Sequence, residues 1–110
     1  MDKKNKKVYI SGKITGLDYE EVERRFNNAQ IVLECAGLQP VNPLRVCEGM
    51  DVEKHSWTEF MMADIKALFE CRFIYMLSNW GSSKGARVEY AIAQAMGIKV
   101  MFEDEFLSVE

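Results

Sequence analysis

Residues 72–102 read RFIYMLSNWGSSKGARVEYAIAQAMGIKVMF and predict a strand, a loop, a helix and another strand. RFIYML (72–77) is the most strand-like run of the chain, and IKVMF (98–102) is a second apolar run of strand length. Between them, residues 84–96 follow helical spacing after the loop SNWGSS (78–83). Two apolar strands joined through a helix are typical of a parallel sheet covered by helices.

The residues before this stretch continue the alternation of strands and helices. VYIS (8–11) and LQPVNP (38–43) predict two more strands, and Tyr19 to about Ala36 predicts the helix between them. Asp18 and Glu21 are the expected N-cap of that helix and its reciprocal partner.

The middle of the chain separates the two halves of this pattern. Residues 44–56 have no clean period and are expected to form a long loop, and a helix follows from Trp57 to about Glu70. The acidic end, residues 103–110, fits no single element. We therefore expect one α/β domain over residues 7–110, with helices on both faces of its sheet and a solvated tail of residues 1–6 before it.

The composition fits one globular domain and argues against several functions. The 110 residues are 48% hydrophobic and 28% charged, and a net charge of −3 is unlike that of a dedicated DNA- or RNA-binding protein. Three widely spaced cysteines, Cys35, Cys47 and Cys71, indicate reduced thiols, and the lone His55 argues against structural zinc. No apolar run has the length of a membrane helix or a signal peptide. We therefore expect a cytoplasmic protein without a membrane partner.

Two carboxylates fall on apolar helix faces. At about 100° per residue, Glu89 projects into the expected apolar stripe of the last helix. That stripe consists of Val88, Ile92, Ala95 and Met96. Asp64 repeats the pattern on the middle helix. It lies near the centre of a face formed by Phe60, Met61, Ala67, Leu68 and Cys71. An interior carboxylate is costly unless something uses it.

Each acid has a structural explanation as well as a functional one. Glu89 lies within two turns of a helix start, where the helix dipole favours an anion by about 0.3–1 kcal/mol. Asp64 could be satisfied by a backbone amide or by a basic side chain. A pair of half-buried carboxylates can instead act as nucleophile and proton donor, because burial and mutual repulsion separate their pKa values.

The expected ligand site lies at the carboxyl ends of the strands, where the loops 11–18, 42–56 and 78–83 come together. The last of these loops leads into the helix as GSSKG (81–85), whose backbone N–H groups can approach an anion. The same residues also fit an ordinary N-cap with a tight turn. Their spacing matches neither a Walker A loop nor a dinucleotide-binding G-x-G-x-x-G motif.

Three motifs in this order resemble the nucleoside 2-deoxyribosyltransferase-like superfamily: VYISGKITG (8–16), ADIKALFEC (63–71) and SSKGARVEYAIAQAMGIKV (82–100). The likeness extends from about residue 7 to 101, except for residues 42–57. It is strongest to a branch of short proteins catalogued as a domain of unknown function. The nucleoside 2-deoxyribosyltransferases and the 2′-deoxynucleoside 5′-phosphate N-hydrolases are relatives. The resemblance implies a flavodoxin-like three-layer sandwich with a four- to five-stranded parallel sheet, and cleavage of an N-glycosidic bond.

The resemblance also implies roles for individual residues. Glu89 matches the glutamate that attacks C1′ of the deoxyribose, Tyr9 the tyrosine that holds this carboxylate, and Asp64 the aspartate that helps the base leave or holds the sugar. The implied substrate-binding residues are Ser11, Gly12, Lys13, Gly81, Ser82, Ser83 and Gly85. No metal or organic cofactor is implied. Relatives complete their sites with a neighbouring subunit, which implies a homo-oligomer.

Three loop positions distinguish the two groups of relatives. Six residues before the nucleophile, the transferases tend to carry an aspartate that meets the sugar 5′-hydroxyl, whereas this chain has Ser83, as the phosphate-recognising hydrolases do. A serine hydroxyl and backbone amides suit a 5′-phosphate, which an aspartate would repel. Lys13 and Thr15 depart from the hydrolases, which tend to have a small polar residue and an arginine there.

The leading hypothesis is cleavage or transfer of the N-glycosidic bond of a (deoxy)nucleoside or nucleoside 5′-monophosphate, through a glycosyl-enzyme intermediate on Glu89. The alternative is a binding module that senses a nucleotide in the same pocket without turning it over. A phosphoacceptor receiver domain is disfavoured, because YISG (9–12) lacks the acidic residues that receivers need after their first strand.

Overall fold

The computed structural model describes residues 4–108, which form four strands and five helices. The strands are β1 (Lys7–Ser11), β2 (Gln39–Val41), β3 (Phe73–Met76) and β4 (Lys99–Phe102). The helices are α1 (Tyr19–Cys35), α2 (Pro43–Val46), α3 (Trp57–Leu68), α4 (Lys84–Ala95) and α5 (Glu103–Ser108). A 3₁₀ turn over Trp80–Ser82 precedes α4. None of these helices is long and apolar enough to cross a membrane.

The four strands form one all-parallel sheet in the order β2-β1-β3-β4. Tyr9 pairs with Ile74 and Ser11 with Met76, so the carboxyl ends of β1 and β3 lie side by side. The chain builds the sheet outward from β1 in both directions, which makes the β1–β3 boundary the switch point where such sheets bind ligands. The predicted parallel α/β fold is confirmed, with four strands and a topology compatible with a flavodoxin-like sandwich.

The two faces of the sheet bury different residues because side chains alternate along each strand. On one face, Val8 and Ile10 pack against α1 through Phe26 and Leu33. On the other face, Tyr9 packs with core residues of β3, α3 and α4. These include Ile74, Met76, Leu68, Ala86 and Ala93. The sheet therefore forms the middle layer of three, and the second face carries the acids discussed below.

The buried face of α4 is rotated from the predicted stripe. Its buried residues are Ala86, Glu89 and Ala93, whereas Ala95 and Met96 are exposed. The small alanines allow α4 to approach the sheet closely, and the larger side chains lie to the side. The predicted stripe was therefore wrong in its centre, whereas the prediction that Glu89 lies on the buried face is confirmed.

The predicted capping of α1 was also wrong in detail. Asp18 is the N-cap residue, but its side chain makes no capping hydrogen bond. Glu21 is held instead by Arg25, whose Nε lies 3.1 Å from the Glu21 carboxylate. A reciprocal capping box occurs at α3, where the Ser56 hydroxyl accepts from the Glu59 N–H at 3.2 Å and the Ser56 N–H donates to Glu59 Oε1 at 2.8 Å.

The remaining segments differ from the predicted loops and tails. The interval predicted as a loop over 44–56 contains most of α2, and the Asn42 side chain caps this helix by accepting from the Leu44 N–H at 2.9 Å. Residues 103–108 form α5, which was not predicted. Residues 1–3 of the predicted tail and residues 109–110 of the predicted domain lie outside the described residues. Asn5, within the predicted tail, donates to the Glu70 carbonyl oxygen at 3.1 Å.

Candidate active site

A cleft of about 480 Å³ opens at the carboxyl end of β1. Its walls come from β1 and the loop after it, from α1, from the segment around α2, and from α3 and α4. Tyr9, Asp64 and Glu89 all contribute to its lining, together with apolar side chains such as Phe60 and Met61. We call this cavity the main cleft. The three residues that the sequence marks for chemistry therefore meet at the switch point of the sheet.

Glu89 is held from the sheet by two hydroxyl groups. Its side chain is buried in the middle of α4, at 5% exposure. The Tyr9 hydroxyl donates to Oε2 at 3.0 Å, and the Ser11 hydroxyl donates to Oε1 at 2.6 Å. Tyr9 and Ser11 lie two positions apart on β1 and therefore share a face, which lets both reach one carboxylate. Within residues 4–108, no lysine, arginine or histidine forms an ion pair with Glu89.

Burial dominates the electrostatics of Glu89. Loss of hydration raises the pKa of this carboxyl to about 7, and the nearby charge of Asp64 adds to the rise. The hydrogen bonds from Ser11 and Tyr9 favour the ionised form and offset part of the rise in pKa. Glu89 is thus a buried acid that changes charge near neutral pH.

Asp64 approaches the same cleft from α3. It is 7% exposed, and the thiol of Cys47 donates to its Oδ1 at 3.2 Å. Burial raises the pKa of Asp64 to about 6, while the contacts with Cys47 and Tyr9 lower it. The Tyr9 hydroxyl has one proton, which it donates to Glu89 Oε2, and its presence also lowers the pKa of Asp64. Burial and the two neighbouring carboxylates raise the pKa of Tyr9 well above its ordinary value, so the hydroxyl stays protonated and acts as a donor.

The two acids form a pair that can exchange protons near neutrality. With pKa values of about 6 and about 7, they share roughly one proton between those two pH values. Such a pair can supply one carboxylate as a nucleophile or base and one carboxylic acid as a proton donor. Within residues 4–108, no group of three or more histidine, cysteine, aspartate or glutamate side chains is placed to hold a metal ion.

A second cavity of about 510 Å³ adjoins the main cleft at the N-terminus of α4. It is lined by Lys13, Thr15, Trp57, Ser82, Ser83, Lys84 and Gly85, four of which also line the main cleft. The Lys84 ammonium lies 4.4 Å from the centroid of the Trp57 ring. Two ammonium groups beside a helix N-terminus favour an anionic ligand.

Ser83 connects the two cavities. It is the N-cap residue of α4, and its hydroxyl oxygen accepts from the Ala86 N–H at 3.1 Å. A hydroxyl that accepts in this way can still donate its own proton to a ligand. Ser83 can therefore cap the helix and bind an oxyanion at once.

The other predicted binding residues take different places. Gly12 and Gly85 line the main cleft, while Lys13 and Ser82 line the second cavity. Ser11 contacts Glu89 and does not line either cavity, so its hydroxyl positions the carboxylate. Gly81 lies in the 3₁₀ turn, likewise outside the lining of both cavities.

Gly12 and Gly85, two of the three glycines that line the main cleft, lie close to neighbouring side chains. A Cβ on Gly12 would come within 2.6 Å of Leu77 Cδ1, so the close approach of the ends of β1 and β3 requires glycine there. A Cβ on Gly85 would lie 3.2 Å from Met61 Sδ, where α4 meets α3.

Sequence reasoning did not assign two residues to the site. Cys47 follows α2 and is joined to Asp64 only by the fold, so no local pattern points to their contact. Trp57 lies at the start of α3, is 43% exposed and lines both cavities. The one sequence signal for Trp57 was the position of a large aromatic residue at the end of a long predicted loop.

A known family matches most of the chain. The model of the family described as Domain of unknown function (DUF4406) matches residues 6–102, which is most of the chain. The search of curated proteins gave no match. All the acids, hydroxyls and glycines of the two cavities named above lie within the matched residues.

Proposed function

The chain belongs to the family described as Domain of unknown function (DUF4406), and we propose that it cleaves or transfers an N-glycosidic bond. The proposed substrate is a (deoxy)nucleoside or a nucleoside 5′-monophosphate. The observation that carries the proposal is the state of Glu89: a buried carboxylate in a cleft, with a hydroxyl donor on each oxygen and a second acid nearby. The resemblance of three motifs to the nucleoside 2-deoxyribosyltransferase-like superfamily supports the same reaction class.

Glu89 is the proposed nucleophile. Its carboxylate oxygen bonds to C1′ of the sugar while the C1′–N bond breaks, through an oxocarbenium-like transition state. The electron pair of the broken bond goes to the base nitrogen, which takes a proton from Asp64. The reacting form therefore has Glu89 ionised and Asp64 protonated, which is the less populated of the two singly protonated forms because the pKa of Glu89 lies above that of Asp64. Tyr9 and Ser11 hold the carboxylate in a fixed orientation, so little reorganisation precedes the attack.

The second half of the reaction restores Glu89. Water, or a second base, attacks C1′, and the bond between C1′ and the Glu89 oxygen breaks with its electrons returning to the carboxylate. Asp64 takes up the proton that the attacking group loses. The two attacks on C1′ come from opposite faces in turn, so the configuration at C1′ is retained.

The second cavity is the proposed binding site for the 5′-phosphate of the substrate. Lys13 and Lys84 supply positive charge, and Ser83 and the first N–H groups of α4 supply donors. This set favours a nucleoside 5′-monophosphate over the nucleoside. Lys84→Gln removes one charge and should raise KM for the monophosphate while leaving KM for the nucleoside unchanged.

The experiment that tests the proposal is a chromatographic screen for free base released from nucleosides and 5′-monophosphates. Glu89→Gln keeps the size of the side chain but removes the nucleophile, and should lower base release by on the order of 10³-fold or more. Glu34→Gln, an exposed change on α1, is the matched control and should leave the rate unchanged. Equal rates for Glu89→Gln and the parent protein would overturn the mechanism.

The non-catalytic alternative has a distinct outcome in the same set of samples. Calorimetry that detects tight nucleotide binding, with no free base after long incubation, would identify a nucleotide-sensing module. Homo-oligomerisation and a cytoplasmic location stay predictions from the sequence. Light scattering of the purified protein tests the first, and fractionation of cells tests the second.

A further inference from the structure

Cys47 is the one cysteine in contact with the acid pair. It directly follows α2 as the C-cap residue, lines the main cleft, and donates its S–H to Asp64 Oδ1 at 3.2 Å. The other two cysteines lie elsewhere: Cys35 is exposed on α1, and the thiol of Cys71 donates to the Ala67 carbonyl oxygen. The contact between Cys47 and Asp64 is therefore specific to the cleft.

We propose that Cys47 is a positioning residue for Asp64, which selects the carboxyl oxygen that carries the proton and sets how readily that proton leaves. The effect on base departure rests on the proposed function. The effect on the protonation of Asp64 does not.

The direction of the hydrogen bond selects the oxygen. Burial and the neighbouring Asp64 charge raise the pKa of Cys47 to about 12, so sulfur keeps its proton at neutral pH and Oδ1 accepts. The proton of neutral Asp64 is then on Oδ2. This protonation also excludes Cys47 as a nucleophile in its own right, because the thiolate is the reactive form.

The chemistry of sulfur sets the strength of the effect. A thiol is a weaker hydrogen-bond donor than a hydroxyl, so it stabilises ionised Asp64 less than a serine would. Burial can then keep the pKa of Asp64 near 6, close enough to neutrality for a proton donor. A serine at position 47 would lower this pKa, and an apolar residue would raise it.

The backbone around Cys47 is fixed from two sides. Its N–H donates to the Pro43 carbonyl oxygen at 3.0 Å, and its own carbonyl accepts from the Met50 N–H at 3.0 Å. The start of α2 is tied to α1, because the Asn42 side chain donates to Asn27 at 3.3 Å and to Gln30 at 3.2 Å. The thiol therefore approaches Asp64 from an anchored segment.

Several other titratable groups act near Asp64. Tyr9 on β1 lowers the pKa of Asp64, and the charge of Asp64 raises the pKa of Glu89 on α4. Arg45 and Glu48 line the cleft from the α2 segment and pair with each other at 3.4 Å. The test therefore uses a Glu89→Gln background, which removes the one neighbouring carboxyl that titrates in the same range as Asp64.

The experiment is a carbon-13 NMR titration of the Asp64 carboxyl in three variants on that background. Cys47→Ser should lower the pKa of Asp64 by about 0.5–1 pH unit, and Cys47→Val should raise it by about 1 pH unit. Cys35→Ser is the matched control and should leave it unchanged. Shifts of the same sign in both Cys47 variants, or no shift, would overturn the inference. If Cys47→Val does not fold, Cys47→Ser decides alone, since only a donor role predicts a lower pKa.

Activity gives a separate outcome. In the protein with Glu89 intact, Cys47→Ser should lower base release at pH 8 about three- to tenfold, because a smaller fraction of Asp64 is protonated. Base release absent from the parent protein would overturn the proposed function but not the titration result. An active parent protein with an unshifted Asp64 titration would overturn the role of Cys47 alone.

Discussion

The Ser11 hydroxyl oxygen lies 2.6 Å from Glu89 Oε1, although 78 positions separate the two residues in the sequence. Tyr9, on the same face of β1, lies 3.0 Å from the other carboxylate oxygen. The carboxylate on α4 is thus oriented by a central strand of the sheet rather than by a loop. Rigid elements position a reacting group more closely than loops do, which fits the nucleophilic role proposed for Glu89.

The two hydroxyls should have separable effects on the acid pair. Ser11→Ala removes a donor to Glu89 alone, and should raise the pKa of Glu89 by about 1 pH unit. Tyr9→Phe removes the donor to Glu89 Oε2, which also lowers the pKa of Asp64, and should raise the pKa values of both acids. Carbon-13 NMR of the two carboxyls measures this. An Asp64 titration that moves as far in Ser11→Ala as in Tyr9→Phe would contradict the assignment.

The rate of base release should show a bell-shaped dependence on pH. Below about pH 6 both acids are protonated, so no carboxylate can attack C1′. Above about pH 7 both are ionised, and no proton is available for the leaving base. We expect the pH profile of kcat/KM to bend near pH 6 and near pH 7. The substrate for this measurement is a nucleoside, because it carries no phosphate that titrates in this range. A rate that stays level from pH 5 to pH 9 would rule out a role for the pair.

The dependence of the free energy of unfolding on pH should also reflect the burial of Glu89. The pKa of this carboxyl is raised from 4.5 to about 7 on folding, so its protonated form stabilises the fold below pH 4.5 and that stability is lost as pH rises through about 7. Glu89→Gln cannot ionise. From pH 5 to pH 8 its free energy of unfolding should therefore increase by roughly 2–3 kcal/mol relative to the parent protein.

Urea unfolding at the two pH values measures this difference. Glu34→Gln, whose side chain is exposed on α1, serves as the control and should show no dependence on pH relative to the parent. A constant difference between Glu89→Gln and the parent at pH 5 and pH 8 would show that Glu89 is already ionised at pH 5 in the folded protein, as it is in the unfolded chain.

The fold was predictable because its signals are local. The apolar runs at 72–77 and 98–102 and the helical spacing between them define a parallel unit within 31 residues, and the structure has β3, α4 and β4 there. The predictions that were wrong concern side-chain contacts that the local sequence pattern does not determine. The helical wheel of α4 marked the larger apolar residues as the core face, whereas close packing selected Ala86 and Ala93. Glu21 pairs with Arg25 instead of capping α1, a competition that the spacing alone does not resolve.

The site was predictable only in part, for the same reason. Asp64 and Glu89 stood out because a carboxylate on an apolar face breaks the pattern of its own helix, and the structure brings both to one cleft. Tyr9 was reached through the resemblance. Cys47 breaks no pattern. It contacts Asp64 because the α2 segment and α3 pack together, and the irregular loop between the two elements leaves no periodic signal for this contact.

Gly12 provides a steric test of how the cleft is built. A methyl group there would lie 2.6 Å from Leu77 Cδ1 and 2.9 Å from Leu77 Cβ and Cγ, within the packed junction of β1 and β3. Gly12→Ala should therefore lower the free energy of unfolding by roughly 1–3 kcal/mol, through overpacking of this junction. Gly81→Ala is the control, because a Cβ on Gly81 meets no atom within 4 Å and the change should be nearly neutral.

A substitution at Leu77 identifies the cause of any loss of stability in Gly12→Ala. Leu77→Ala alone should destabilise by roughly 2–5 kcal/mol, since the side chain is 1% exposed. The double variant lacks two of the three Leu77 atoms that clash, Cδ1 and Cγ, and keeps only Cβ. The double variant should therefore lose less free energy of unfolding than the two single variants lose together, by about 1 kcal/mol or more. Strict additivity in urea unfolding would show that Gly12 is required for a reason other than its contact with Leu77. Base release should fall in Gly12→Ala as well, because a displaced β1 end moves Ser11 away from Glu89.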